Sequence, residues 1–92
     1  MEHITPQELS TLILQNKINL VDVRKEHEVK QGIIEGAIHI PMSFVNEWLP
    51  AQNIDSHWVF YCHVGVRSAK VGLIAKNLGF KNIYNLSGGV VA

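Results

Sequence analysis

The stretch from Trp58 to Gly79 constrains the fold more than any other part of the chain. An apolar run, Trp58-Val59-Phe60-Tyr61, leads into the seven residues Cys62-His63-Val64-Gly65-Val66-Arg67-Ser68. Beyond them Val71, Ile74, Ala75 and Leu78 recur at helical spacing until Gly79 stops the pattern. The order is strand, tight loop, helix, with a thiol at the strand's end. A loop feeding a helix N-terminus directs several backbone N–H groups at one point, and the helix dipole adds positive potential there. A cysteine so placed is expected to have a lowered pKa and to be a thiolate near neutral pH. The competing role, a buried inert thiol packed as a small hydrophobe, needs neither the backbone freedom of Gly65 nor the cation of Arg67.

The rest of the chain alternates strands with helices. Thr5-Pro6-Gln7-Glu8 is a helix start, with Thr5 as N-cap, Pro6 at the first helical position and Glu8 closing a capping box. Leu9, Leu12 and Ile13 give that helix one apolar face. Ile18 to Val23 suits a strand buried on both faces. Lys25 to Gln31 is a short exposed helix or turn ended by Gly32, and Gly36 to Pro41 is a short strand stopped by proline. Ser43 is expected to cap a helix running through Leu49 and ended by Pro50. His57 to Tyr61 is a strand, Arg67 to Leu78 a helix, and Asn82 to Leu86 a strand. This alternation predicts an α/β fold with a mainly parallel sheet, whose ligands sit beyond the carboxyl ends of the strands. Cys62 stands at one such end.

Ninety-two residues, 47% of them apolar, are expected to form one domain over residues 1–92 around a single core. Eight basic and eight acidic residues cancel without a basic patch, so nucleic acid is not an expected partner. The single cysteine cannot form an internal disulfide, and the N-terminus carries no signal-peptide pattern. No apolar stretch approaches membrane-spanning length. A cytoplasmic monomer without membrane contact is the expectation. The five histidines are scattered, and His63 beside Cys62 does not make a ligand pair, so neither metal nor cofactor is expected.

Three blocks along the chain resemble the rhodanese domain, a sulfurtransferase module. The first is Leu20-Val21-Asp22-Val23-Arg24 with Glu28 and then Gly32-Ile33-Ile34-Glu35-Gly36-Ala37-Ile38-His39-Ile40-Pro41. The second is the loop Tyr61-Cys62-x-x-Gly65-x-Arg67-Ser68, and the third is the turn Leu86-Ser87-Gly88-Gly89. Ile33 stands where the family usually has His, and Val29 where an aromatic is common; both are expected to be packing variants. The sequence stops at Ala92, where family members usually continue through a tryptophan and a final helical segment, which suggests a minimal module.

The resemblance implies a parallel five-stranded sheet with helices on both faces and a persulfide carried on Cys62. A small anionic sulfur donor such as thiosulfate would be attacked by Cys62, and a thiophilic acceptor (cyanide, a cellular thiol or a protein) would take the sulfur. The loop His63, Val64, Gly65, Val66, Arg67 and Ser68 would bind the substrate and stabilise the persulfide through backbone N–H groups. Arg67 has two open roles, attracting an anionic donor or pinning the loop against a carboxylate. Ser68 is expected to cap the helix rather than to donate to the sulfur. Asp22 and Arg24 are expected to be a supporting charged pair rather than an acid/base pair. His63 is placed at the pocket rim, and Trp48 and Trp58 in packing. Related dual-specificity phosphatases use Cys-x5-Arg; the four residues between Cys62 and Arg67 make a smaller ring, suited to one sulfur atom. Two other roles stay open: a sulfur-relay or regulatory docking module without thiosulfate turnover, and, less favoured, a phosphatase or arsenate reductase.

Overall fold

The computed structural model describes residues 1–91, so Ala92 lies outside the described residues. Its centre is a sheet of five strands, β1 (Glu2–Ile4), β2 (Ile18–Asp22), β3 (Ile38–His39), β4 (His57–Tyr61) and β5 (Asn82–Leu86), in the spatial order β1-β5-β4-β2-β3. Every neighbouring pair is parallel. The helices are α1 (Pro6–Gln15), α2 (Glu26–Val29), α3 (Val45–Trp48) and α4 (Val66–Asn77). Parallel strands need crossovers, and α1 and α4 supply two of them.

Period-two alternation along the central strands divides the interior into two cores. Val21, Trp58, Phe60, Cys62 and Ile83 face one side, where Val45 and Leu49 and, from α4, Val71 and Ala75 cover them. Leu20, Val59, Tyr61 and Leu86 face the other, beneath Leu9 of α1 and Ile4. The sheet therefore has helices on both faces, as the strand–helix alternation and the family resemblance imply. Phe60 and Val59 are fully buried on opposite faces of the same strand, each burial contributing about 1.5–3 kcal/mol. Trp58 meets Trp48 edge-on at 5.5 Å, and its Nε1–H donates to the Asn53 carbonyl at 2.8 Å, so both tryptophans serve packing.

The Thr5 capping box forms as the sequence predicts: the Glu8 N–H donates to Thr5 Oγ1 at 3.1 Å, and the Thr5 N–H to Glu8 Oε1 at 3.0 Å. Other local expectations need correction. Ile13 of α1 is 50% exposed, so that helix's apolar face is Leu9 and Leu12 alone. Ser43 caps no helix; Met42–Phe44 and Leu49–Ala51 are 3-10 turns flanking the single turn of α3, and Pro50 sits inside the second turn instead of ending the first. Fully buried Val45 and Leu49 hold this irregular segment against the sheet, so packing rather than capping sets its path. On α4 the buried face is Ser68, Val71, Gly72 and Ala75, while Leu78 turns outward at 42% exposure. A Cβ at Gly72 would meet the end of the flexible Met1 side chain, which would have to move aside. Among the described residues, no helix is long and apolar enough to cross a membrane.

Candidate active site

Cys62 follows β4 directly, its side chain 99% withdrawn from solvent on the α4 side of the sheet. The chain must reverse from strand to helix within three residues. Gly65 does this at φ +100° as the N-cap of α4, a conformation that side-chain-bearing residues rarely adopt. The turn swings the Gly65 N–H back onto Cys62 Sγ at 3.1 Å, and Ser68 Oγ stands 3.4 Å from the same sulfur. Burial pushes the Cys62 thiol up, but the Ser68 hydroxyl and the N–H groups of Ser68, Gly65 and Arg67 outweigh it, so the thiol lies below its ordinary value. Neighbouring backbone dipoles thus favour a negative sulfur, in keeping with the position of Cys62 at a helix start.

The 3-10 turn Gly89–Val91 closes the loop from the other side. The Val90 N–H donates to the Cys62 carbonyl at 3.0 Å and the Val91 N–H to the His63 carbonyl at 3.3 Å. A Cβ at Gly89 would collide with the Cys62 and His63 carbonyls, so the late glycine turn lets one backbone lie on another. His63 is exposed and borders a hollow with Arg24, Gln31, Gly32, Ile33, Ile34 and Val90. Ile33 is 42% exposed and lines that hollow. Val64 and Val66 point outward, at 52% and 60% exposure.

Arg67 is held by Glu28, with Nη1 to Oε1 at 2.6 Å and Nη2 to Oε2 at 2.8 Å. This two-pronged pair joins α2 to the start of α4, and of the two roles left open for Arg67 the geometry shows the contact with a carboxylate. The guanidinium holds the Glu28 carboxyl down at about 2, against an ordinary 4.5. A carboxyl whose folded value is depressed adds stability that is complete above about 4.5 and is lost as pH falls toward about 2, because the unfolded chain binds the proton first. With the two side chains 20% and 31% exposed, the pair is expected to contribute about 1 kcal/mol. Glu28→Gln should therefore lower the thermal midpoint at neutral pH, and the gap to wild type should close as the pH of the melts approaches 2; a pH-independent gap would contradict the pairing.

Ser68 corrects a second expectation. It caps nothing: the N-cap is Gly65, without a side-chain bond, and Ser68 sits inside the first turn, fully buried. Its hydroxyl lies 2.5 Å from Asn85 Oδ1 as well as beside the sulfur. Asp22 and Arg24 form a buried pair, with Arg24 Nε within 3.1 Å of both carboxylate oxygens and Nη2 at 2.8 Å from Oδ2. The same Nη2 donates to the Gly32 carbonyl at 2.6 Å. The guanidinium also lies over the Tyr61 ring, 5.9 Å from its centroid, and Tyr61 Oη accepts the Ile34 N–H at 3.1 Å. Burial pushes the Tyr61 phenol up to about 12, so it stays neutral beside the pair. Among the described residues, no group of three His, Cys, Asp or Glu side chains comes together as a metal site.

Glu28, Asn85 and Gly89 are the site residues to which the sequence assigns no role. Asn85 does leave a signal: it occupies an inward position of β5, two residues after buried Ile83, where an apolar residue is the norm. Glu28 stands in the first of the three blocks, but its pairing with Arg67 leaves no local signal, because the two lie 39 residues apart.

Comparison with known proteins agrees with the fold. The family model for the rhodanese-like domain matches residues 5–92. "Putative sulfurtransferase YtwF" of Bacillus subtilis is 37% identical over 92 residues, covering 94% of this chain and 88% of that protein. The tRNA uridine(34) hydroxylase of Neorickettsia sennetsu is 29% identical across 98% of this chain, which spans 35% of the hydroxylase's length. The crystal structure of a rhodanese-like domain protein from Staphylococcus aureus superposes with a TM-score of 0.86 at 36% identity, covering 97% of this chain and 87% of that one. With its five parallel strands, its cysteine loop and a match running almost end to end, the chain belongs to the rhodanese-like domain family.

Proposed function

We propose that this protein is a sulfurtransferase that carries sulfane sulfur as a persulfide on Cys62. The observation that carries the reading is the sulfur's position: Sγ takes the Gly65 N–H at 3.1 Å in a turn that opens onto the carboxyl edge of a parallel sheet. The Cys62 thiolate attacks the outer sulfur of thiosulfate, forming a Cys62 S–S bond as the donor's own S–S bond breaks. Sulfite leaves with that bond's electron pair. A nucleophilic acceptor, cyanide or a thiolate, then attacks the outer persulfide sulfur and returns Cys62 as thiolate. The loop N–H groups compensate the negative sulfur in both states, and Asp22 with Arg24 braces the Gly32 carbonyl and the Tyr61 ring that precedes Cys62.

A second reading has its own support. Arg67 is the one Lys or Arg between Cys62 and Ser68, and Glu28 already neutralises it. The outward loop positions Val64 and Val66 are apolar. A mouth of this kind suits a relay, in which another protein's persulfide supplies the sulfur, better than capture of a free dianion. A phosphoryl group would ask more of the loop, and the four-residue ring with its neutralised arginine offers it little.

Mass spectrometry of the intact protein after thiosulfate treatment tests the proposal. One added sulfur is expected, removable by cyanide and absent from Cys62→Ser. A folded wild-type protein that gains no sulfur from thiosulfate but gains one from a protein persulfide supports the relay. If neither donor loads it, sulfur transfer is refuted and a docking role takes its place. Hydrolysis of a phosphate ester dependent on Cys62 would overturn the ring-size reasoning.

A further inference from the structure

Behind the Cys62 sulfur and Ser68 lies Asn85, a buried side chain with no part in the transfer steps above. Asn85 is 97% withdrawn from solvent on β5, facing the start of α4. Its Nδ2 lies 3.2 Å from the Gly65 carbonyl, and 3.1 Å from Nδ1 of His3, its neighbour in the β1–β5 ladder. A carbonyl only accepts, so the Gly65 contact fixes which end of the carboxamide carries the N–H groups. The other end, Oδ1, then faces Ser68 Oγ at 2.5 Å and can only accept. Ser68 has one hydroxyl proton and two claimants for it, Asn85 Oδ1 at 2.5 Å and Cys62 Sγ at 3.4 Å. When the hydroxyl donates to Asn85 Oδ1, Ser68 turns a lone pair toward the sulfur, which suits a thiol S–H. A thiolate needs the hydroxyl turned toward it, and Asn85 Oδ1 then loses its partner in a buried position.

We propose that Asn85 is a positioning residue of the sulfur site: its carboxamide, oriented by the Gly65 carbonyl, competes with the Cys62 sulfur for the single hydroxyl proton of Ser68 and so sets how much of Cys62 is thiolate. This rests on the reading of Cys62 as the reactive sulfur. Its test is a titration of that sulfur without turnover, so the two can fail separately.

Asn85→Leu keeps the side chain's branching and removes the competing acceptor. The Gly65 carbonyl keeps the Ala69 N–H at 3.3 Å, so it is not left bare. The thiolate-to-thiol ratio, followed by ultraviolet absorbance against pH, should rise about three- to tenfold in Asn85→Leu, the range of one exchanged hydrogen bond. The same substitution in a Ser68→Ala background should leave the ratio within about twofold of Ser68→Ala alone, since no hydroxyl proton remains to be released. Asn85→Ala, measured in both backgrounds, serves if the leucine variant does not fold. A fall or no change in the ratio would overturn the proposal. So would an equal rise in both backgrounds, which would mark Asn85 as a strap for Gly65 and nothing more.

Discussion

Arg24→Met should destabilise the protein by about 3–5 kcal/mol, read from urea or thermal unfolding. Asp22 is fully buried and Arg24 is 5% exposed, so removing the guanidinium strands a carboxylate where water cannot reach it. It also strips the Gly32 carbonyl of its 2.6 Å donor and the Tyr61 ring of its cation. The intact pair is not itself a large source of stability, because desolvating two charges offsets most of their attraction. The double variant Asp22→Leu with Arg24→Met should therefore recover much of the loss. It also decides the pair's role. If the pair only supports the loop, the folded double variant should load sulfur on Cys62 at close to the wild-type rate. A rate loss of about a hundredfold or more in a folded double variant, the scale of a lost acid or base, would place the pair in the chemistry instead.

What the sequence makes legible here is what local chemistry decides. The strands His57–Tyr61 and Asn82–Leu86 fall where the sequence puts them, and the Thr5–Glu8 capping box forms because both partners lie within four residues. The cysteine loop is legible for the same reason: strand, glycine and helix start are contiguous. Strand β1 is not. It has three residues and one buried side chain, Ile4, and exists by pairing with β5, some eighty residues away along the chain. The broken helix around Val45 and Leu49 follows the shape of the sheet beneath it, which no capping residue encodes. The second layer of the site is hidden likewise. Arg67 meets Glu28 across 39 residues, Ser68 meets Asn85 across 17, and Asn85 meets His3 across 82. Each pair is made of polar residues whose identity permits many partners, and only the fold selects one.

The glycine at position 89 ties that hidden layer to the chemistry. Gly89→Ala should cost about 2–5 kcal/mol, from about 1–2 for a side chain in the left-handed region and about 1–3 for forcing a methyl group into packed structure. Gly89 has φ +55°, and its Cβ would meet backbone carbonyls, which cannot move aside as a flexible side chain would. Relief has to come from separating the Gly89–Val91 turn from the loop, and that breaks the bonds from the Val90 and Val91 N–H groups to the carbonyls of Cys62 and His63. The loss should therefore be uneven across the molecule. Hydrogen exchange should rise at Val90, Val91 and the loop while the β2 and β4 amides stay protected, and sulfur loading of Cys62 should fall well before the sheet unfolds. Gly36→Ala is the control, because a Cβ there has nothing within 4 Å and only its φ of +85° opposes it. Equal damage from the two substitutions would show that the close approach to the Cys62 backbone is not what requires glycine at position 89.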